Sequence, residues 1–146
     1  MFYNYDIKFV NGSVKNIIDI FFFSKNICCG ASVFFLGYVR VSSVNKYNVR
    51  AIYYIIFEEL AVNTIRRIFF NVFQIYGKFI FIQVIHSSGL VKVGDPSIFI
   101  KVCTSHKENA FEICNFVLKS VKKDAPIWKK EYTKDSIQWL LSLNKI

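Results

Sequence analysis

Residues 78–104, KFIFIQVIHSSGLVKVGDPSIFIKVCT, decide the fold class. Lys78 to His86 and Ser97 to Thr104 are apolar runs of strand length, rich in β-branched and aromatic residues. Ser87-Ser88-Gly89 and Gly94-Asp95-Pro96 are turn signals that follow the first run and precede the second. Strands joined by turns rather than by a crossover helix are antiparallel neighbours.

Upstream of this stretch, Glu58 to Tyr76 has helical periodicity. Leu60, Thr64, Ile65, Ile68, Val72 and Ile75 form its inner stripe, and Gly77 ends it. Ala31 to Arg40 and Asn48 to Ile56 read as strands. So does the N-terminus, where Tyr3, Tyr5, Ile7 and Phe9 alternate with Asn4, Asp6 and Lys8. Gly12-Ser13 opens a helix capped by Ser13, with Val14, Ile17, Ile18, Phe21 and Phe22 at helical spacing. Downstream, Ser105-His106-Lys107-Glu108 matches a capping box. Ala110, Phe111, Cys114, Val117, Leu118 and Val121 follow on one helical face, and Asp124-Ala125-Pro126 stops the helix. Ile127 to Tyr132 is extended, and Ile137, Leu140 and Leu141 suggest a short final helix. Helices and strands mix without a strict βαβ rhythm, which predicts an α+β domain with a mainly antiparallel sheet. The 146 residues fit a single domain, 1–146.

Apolar residues are 53% and charged residues 20%, which excludes a disordered chain. Mean hydropathy is +0.33. Yet the longest uncharged stretch, Asn26 to Val39, falls short of the roughly 20 residues of a spanning helix. The N-terminus lacks the basic and apolar regions of a secretory signal, so a cytoplasmic protein is expected, with no membrane partner. Net charge is +9, but Phe, Ile, Lys, Asn and Tyr together make up 70 of the 146 residues. These are residues of A/T-rich codons, so composition bias accounts for much of the basicity, and local clusters carry more information than the total. Cys28, Cys29, Cys103 and Cys114 contain no C-x-x-C pair, so no metal site is expected and the cysteines read as reduced, buried apolar residues.

The densest cations are Lys119, Lys122, Lys123, Lys129, Lys130 and Lys134, with Pro126-Ile127-Trp128 between them. Lysine held against a stiff apolar segment loses proton affinity and can serve as acid or base. His106 and Lys107 lie at the start of the preceding helix, where free N–H groups favour an anion. Sixteen residues of helix put His106 and Lys122 about 24 Å apart. One small-molecule site cannot use both ends of the same helix. If both are functional, two chains contribute to each pocket, as in a two-fold dimer.

Several stretches resemble the catalytic (large) subunit of the molybdopterin synthase family. They are Gly30-Ala31-Ser32-Val33-Phe34-Phe35-Leu36-Gly37-Tyr38-Val39-Arg40, Glu58-Glu59-Leu60, His86-x-x-Gly89 with Gly94-Asp95, Ser105-His106-Lys107-x-x-Ala110-Phe111, and Lys122-x-x-Ala125-Pro126-Ile127-Trp128-Lys129-Lys130-Glu131. The resemblance implies a hammerhead-type α+β fold with an added small β-subdomain. It further implies a homodimer that becomes a heterotetramer with two small ubiquitin-like sulfur-carrier subunits. The carrier's C-terminal thiocarboxylate would deliver two sulfurs to cyclic pyranopterin monophosphate, giving the dithiolene of molybdopterin without a cofactor. By position in the motifs, Lys122 and Lys129 would be catalytic. Arg40, His106 and Lys107 would bind phosphate or pterin, and Tyr38, Val39, Lys130 and Glu131 would line the pocket. Four positions depart from the family pattern: Lys107 in place of arginine, Val41 in place of a polar or acidic residue, Ile55 in place of glutamate and Ser87 in place of arginine. Two other readings stay open: a non-catalytic basic module for RNA or another polyanion, and a degenerate synthase that binds its carrier without turnover.

Overall fold

The computed structural model describes residues 4–15, 29–41, 48–133 and 137–141. Seven strands, β1 (Asn4–Asn11), β2 (Ala31–Tyr38), β3 (Val49–Ile56), β4 (Phe81–Lys92), β5 (Pro96–Thr104), β6 (Ile127–Thr133) and β7 (Ile137–Leu141), are joined by helices α1 (Glu58–Tyr76) and α2 (Lys107–Asp124). The sheet order is β2-β5-β4-β3-β6-β7, with β1 pairing β4. All pairings are antiparallel except β1 with β4. The α+β, mainly antiparallel fold expected from the sequence is the one observed.

The 12-residue strand β4 organises the sheet. Its first half lies between β5 and β1, and its last four residues pair with β3, from Tyr54 opposite Gly89 to Ala51 opposite Lys92. The turn signal at Ser87-Ser88-Gly89 therefore marks no chain reversal. Gly89 takes φ +78°, with the Asn11 side chain close by, where β1 ends and β3 begins along the same edge of β4. A left-handed residue at this handover favours glycine. The true reversal is at Gly94, also at positive φ, between β4 and β5. Beyond Gly89, β3, β6 and β7 form the smaller β-subdomain with the end of β4.

The core lies between α1, α2 and the sheet. α2 covers Val33 and Phe35 of β2 and Ile100 and Val102 of β5 with Ile113, Cys114, Val117 and Val121. α1 buries Ala61, Thr64, Ile65, Ile68, Phe69, Val72 and Phe73. Leu60 and Ile75, placed on its inner stripe by the sequence, are 56% and 73% exposed. Both sit at helix ends on the fringe of the stripe, and Ala61, Phe69 and Phe73 fill the centre. Phe111 of α2 is likewise exposed, with Ile113 inside instead.

Two local expectations are corrected. The cap position falls on His106 rather than Ser105: His106 has φ −124° and ψ 139° and makes no side-chain cap bond. The Thr104 hydroxyl donates to the His106 carbonyl instead. Ile137–Leu141 is a strand, not a helix, because its backbone pairs with the open edge of β6, with Ile137 opposite Tyr132 and Leu141 opposite Trp128. Edge N–H and C=O groups that need partners outweigh an i, i+3, i+4 apolar spacing. The Ser13 cap is present, accepting the Lys15 N–H at 3.2 Å, but Ile17, Ile18, Phe21 and Phe22 lie outside the described residues, as do Cys28 and Lys134.

Ser87, which stands where an arginine was expected, is fully buried, and its hydroxyl has no hydrogen-bond partner among the described residues. Ser87→Ala removes a desolvated, unsatisfied group and is expected to raise unfolding stability by about 1 kcal/mol in a urea titration. A loss of stability would mean the hydroxyl makes a bond that matters.

Candidate functional site

β5 runs into α2, and α2 returns along β2 and β5, so the end of α2 lies near the start of β5 and the end of β2. The ring of Phe35 sits 5.9 Å from Lys122 Nζ, which fixes this geometry and gives the ammonium an aromatic face. The two-residue connection Ala125-Pro126 then turns the chain sharply, with the Ala125 N–H bonded to the Val121 carbonyl and the Ile127 N–H to that of Ala125. Lys122 and Lys129 thus leave a helix and a strand that meet at one corner.

Strand alternation separates the cations of β6. Tyr54 pairs with Lys129 and Ile52 with Glu131, so Lys129 and Glu131 share the face that carries Tyr54. Lys130 projects to the other face, where its ammonium sits 5.4 Å from the Tyr132 ring. The adjacent lysines of the sequence therefore do not act on the same surface. Glu131 is only 6% exposed.

Under Lys122 and Lys129 lies a polar cluster that reading the sequence did not single out as functional. The His86 ring meets Tyr54 edge to face, with centroids 5.0 Å apart. Tyr54 donates its hydroxyl proton to Ser97 Oγ at 3.1 Å. His86 Nδ1 is 2.8 Å from the Ser87 carbonyl oxygen. A carbonyl only accepts, so Nδ1 carries the proton and Nε2 keeps its lone pair. Burial drives the His86 pKa down to about 4, against the pull of that carbonyl, and the charges of Lys122 and Lys129 push it the same way as burial. The imidazole is neutral at physiological pH. Burial, with a smaller contribution from the Glu131 charge, also raises the Tyr54 phenol above its usual range, which keeps the Tyr54 hydroxyl protonated. Only strand register brings β3, β4, β5 and β6 to this point. In the sequence, His86 and Tyr54 are separate residues with no motif between them.

The remaining expected residues divide by location. Arg40 follows β2, where Val39 is pinned: its N–H bonds the Asp95 carbonyl at 3.0 Å and its carbonyl accepts the Gly94 N–H at 2.8 Å. Val39 itself is buried in the core, so its side chain lines no open surface. Tyr38, at 58% exposure, and Arg40 face outward at the end of the fold that carries Lys122. His106 and Lys107 are exposed at the opposite end of α2. Lys107 makes a 4.0 Å, solvent-exposed contact with Glu108, which contributes little. A hollow of about 920 Å³ lined by Tyr5, Arg66, Arg67, Phe70, Asn71 and Asp124, among others, shares no lining residue with these groups. Among the described residues no helix is long and apolar enough to cross a membrane, and no cluster of three metal-ligating side chains occurs.

A family profile described as MoaE protein matches residues 11–124. A molybdopterin synthase catalytic subunit of Synechococcus elongatus is 36% identical over 106 residues, which cover 73% of this chain and 64% of that protein. In three dimensions, molybdopterin synthase from Staphylococcus aureus superposes with a TM-score of 0.79 at 21% identity, over 91% of this chain and 95% of that one. A chain from a complex of subunits 1 and 2 of the molybdopterin-converting factor of Helicobacter pylori superposes with a TM-score of 0.74 at 20% identity, over 91% and 88%.

Proposed function

Because this chain belongs to the MoaE protein family, we propose that it is the catalytic subunit of a molybdopterin synthase, with residues 1–146 acting as one domain. It converts cyclic pyranopterin monophosphate to molybdopterin with sulfur carried as a C-terminal thiocarboxylate on a small ubiquitin-like partner. The two-subunit complex from Helicobacter pylori supports a partner subunit of this kind. We assign it to the cytoplasm, a reading supported by the free thiols of Cys29, Cys103 and Cys114, which suit a reducing compartment.

Both the donor thiocarboxylate and the cyclic phosphate are anions, so the site needs fixed cations in a partly desolvated corner. Lys122 and Lys129 fill that role. As sulfur attacks the pterin carbon, a C–O bond to that carbon breaks and negative charge develops on the departing oxygen; water then cleaves the resulting thioester, leaving sulfur on the pterin and releasing the carrier as a carboxylate. Ammonium groups from α2 and β6 stabilise that charge and supply protons. Neutral His86 beneath them adds no competing positive charge and offers a lone pair on Nε2. Arg40 and Tyr38 face the same end and bind phosphate and pterin. Glu131 lines the floor beside Lys129, Val39 sets the backbone of Arg40, and Lys130 borders the site from the other face of β6.

The observation that carries this reading is that Lys122, against Phe35 at the end of α2, and Lys129, opposite the Tyr54 that packs on buried His86, meet at one corner, while His106 and Lys107 stand at the far end of α2. A phosphate site that uses all of them needs two chains, so we infer a homodimer, and a heterotetramer with its carriers. The test is conversion of the precursor by purified protein and verified thiocarboxylated carrier. Formation of the dithiolene product is expected; no product would refute catalysis.

A further inference from the structure

The sheet face opposite α2 carries chemistry that sulfur transfer to the pterin does not use. The pairings Ser32–Cys103 and Phe34–Lys101 between β2 and β5, and Phe81–Cys103 and Gln83–Lys101 between β4 and β5, place all six residues on that face. Ser32 Oγ lies 3.1 Å from Cys103 Sγ and 3.4 Å from Cys29 Sγ. The Cys29 thiol also points back to the Ala31 carbonyl oxygen at 3.3 Å, which curls its side chain over Ser32. Both thiols thus contact the same Ser32 hydroxyl, which stands between them.

Their surroundings differ in a useful way. Cys103 is fully buried, whereas Cys29 is half-buried and open to a small solute. Lys101, only 3% exposed, lies 5.6 Å from the Phe34 ring and 5.8 Å from the Phe81 ring. Burial raises the Cys103 thiol pKa and the neighbouring Cys29 adds to the rise; the Ser32 hydrogen bond and the Lys101 charge offset only part of it, so Cys103 stays a thiol. Cys114 sits in the core under α2, on the other side of the sheet.

We propose that Cys29 and Cys103 are a peroxide-responsive dithiol that closes to an intramolecular disulfide. The accessible Cys29 thiolate attacks one oxygen of hydrogen peroxide. The O–O bond breaks, hydroxide leaves and takes up a proton as water, and Cys29 becomes a sulfenic acid. The Cys103 sulfur then attacks the Cys29 sulfur and displaces hydroxide. The Cys103 proton passes to it through the Ser32 hydroxyl, giving a second water. Two thiols are oxidised by two electrons and one peroxide is reduced; a dithiol reductant reverses the bond. The Ser32 hydroxyl must move from between the sulfurs, which close to about 2.05 Å.

The bond forms at a tight point of the fold. Gly30 donates its N–H to the Thr104 carbonyl at 2.9 Å, and a Cβ at Gly30 would collide with the Ser105 carbonyl oxygen. The disulfide therefore cross-links the two strand ends directly before His106 and Lys107.

The experiment treats the reduced protein with a small excess of hydrogen peroxide, blocks remaining thiols with an alkylating agent and maps the peptides without reduction. The expected result is loss of two alkylatable thiols per chain, a peptide pair joined through Cys29 and Cys103, and full recovery with dithiothreitol. Cys29→Ser and Cys103→Ser should each abolish the joined pair, and the wild-type map decides alone if either variant fails to fold. Linkage of Cys29 to Cys28 or Cys114, or sulfinic acid at Cys29 with Cys103 still alkylatable, would overturn the proposal. So would complete resistance of both thiols.

Discussion

Lys122→Ala and Lys129→Ala are each expected to lower the rate of dithiolene formation by about 10²- to 10³-fold while leaving the fold intact. Lys122 is exposed in the last turn of α2, so its loss removes the charge and its contact with the Phe35 ring but no buried side chain. Lys129 is half-buried on the Tyr54 face of β6, where an ammonium group works in a medium of lower dielectric than water. Lys130 provides the internal comparison. It has the same charge and is adjacent in sequence, but it projects from the opposite face toward Tyr132. Lys130→Ala is expected to cost less than about tenfold. The readout is the initial rate with saturating thiocarboxylated carrier, checked by circular dichroism for folding. Equal effects at Lys129 and Lys130 would mean that general basicity, not placement, controls the rate, and the proposed site would be wrong.

Acidification is expected to destabilise the protein through His86. A histidine normally titrates near 6.5, whereas burial first, and then the Lys122 and Lys129 charges, bring His86 to about 4. Between those values the unfolded chain holds a proton that the folded chain does not. Stability therefore rises with pH across this window. The contribution is intact above about pH 6.5 and is lost as pH falls toward 4, by roughly 3 kcal/mol in all. Urea unfolding at pH 7 and at pH 4.5 measures the difference. His86→Gln has no titrating ring and is expected to flatten the slope between those pH values, whatever it does to absolute stability. An unchanged slope in that variant would show that other groups govern acid unfolding. Lys122→Ala adds a further check. With one repelling charge removed, the His86 imidazole should titrate at a higher pH by NMR.

The sequence revealed the elements more fully than it revealed the site. Strands 31–38, 49–56, 96–104 and 127–133 and both long helices follow from alternation, helical spacing and the punctuation of Gly77 and Pro126, because these signals are local. Ile137–Leu141 has the local spacing of a helix, and its edge pairing with β6 is a long-range effect that no local spacing records. Gly89 is ambiguous for a related reason: a residue that needs positive φ marks either a reversal or a change of strand partners, and only topology separates the two. At the site, the lysines were legible as a cluster of charge, but their sorting was not. Lys129 and Lys130 diverge because a strand alternates, and Val39 turns inward while Arg40 turns outward. His86 and Tyr54 became visible only when register placed β3 beside β4. The separation of His106 from Lys122, by contrast, was readable from helix length alone, since one continuous helix fixes that distance whatever surrounds it.

In the proposed dimer each pocket draws Lys122 and Lys129 from one chain and His106 and Lys107 from the other. Co-refolding a His106→Ala chain with a Lys122→Ala chain separates this arrangement from a site built within one chain. Each variant alone should be nearly inactive. Random mixing makes half the dimers mixed, and each mixed dimer restores one intact pocket of two, so activity should return to about a quarter of the wild-type rate. Mixed dimers that form, as judged by two different affinity tags, yet stay as inactive as either parent would contradict the shared site.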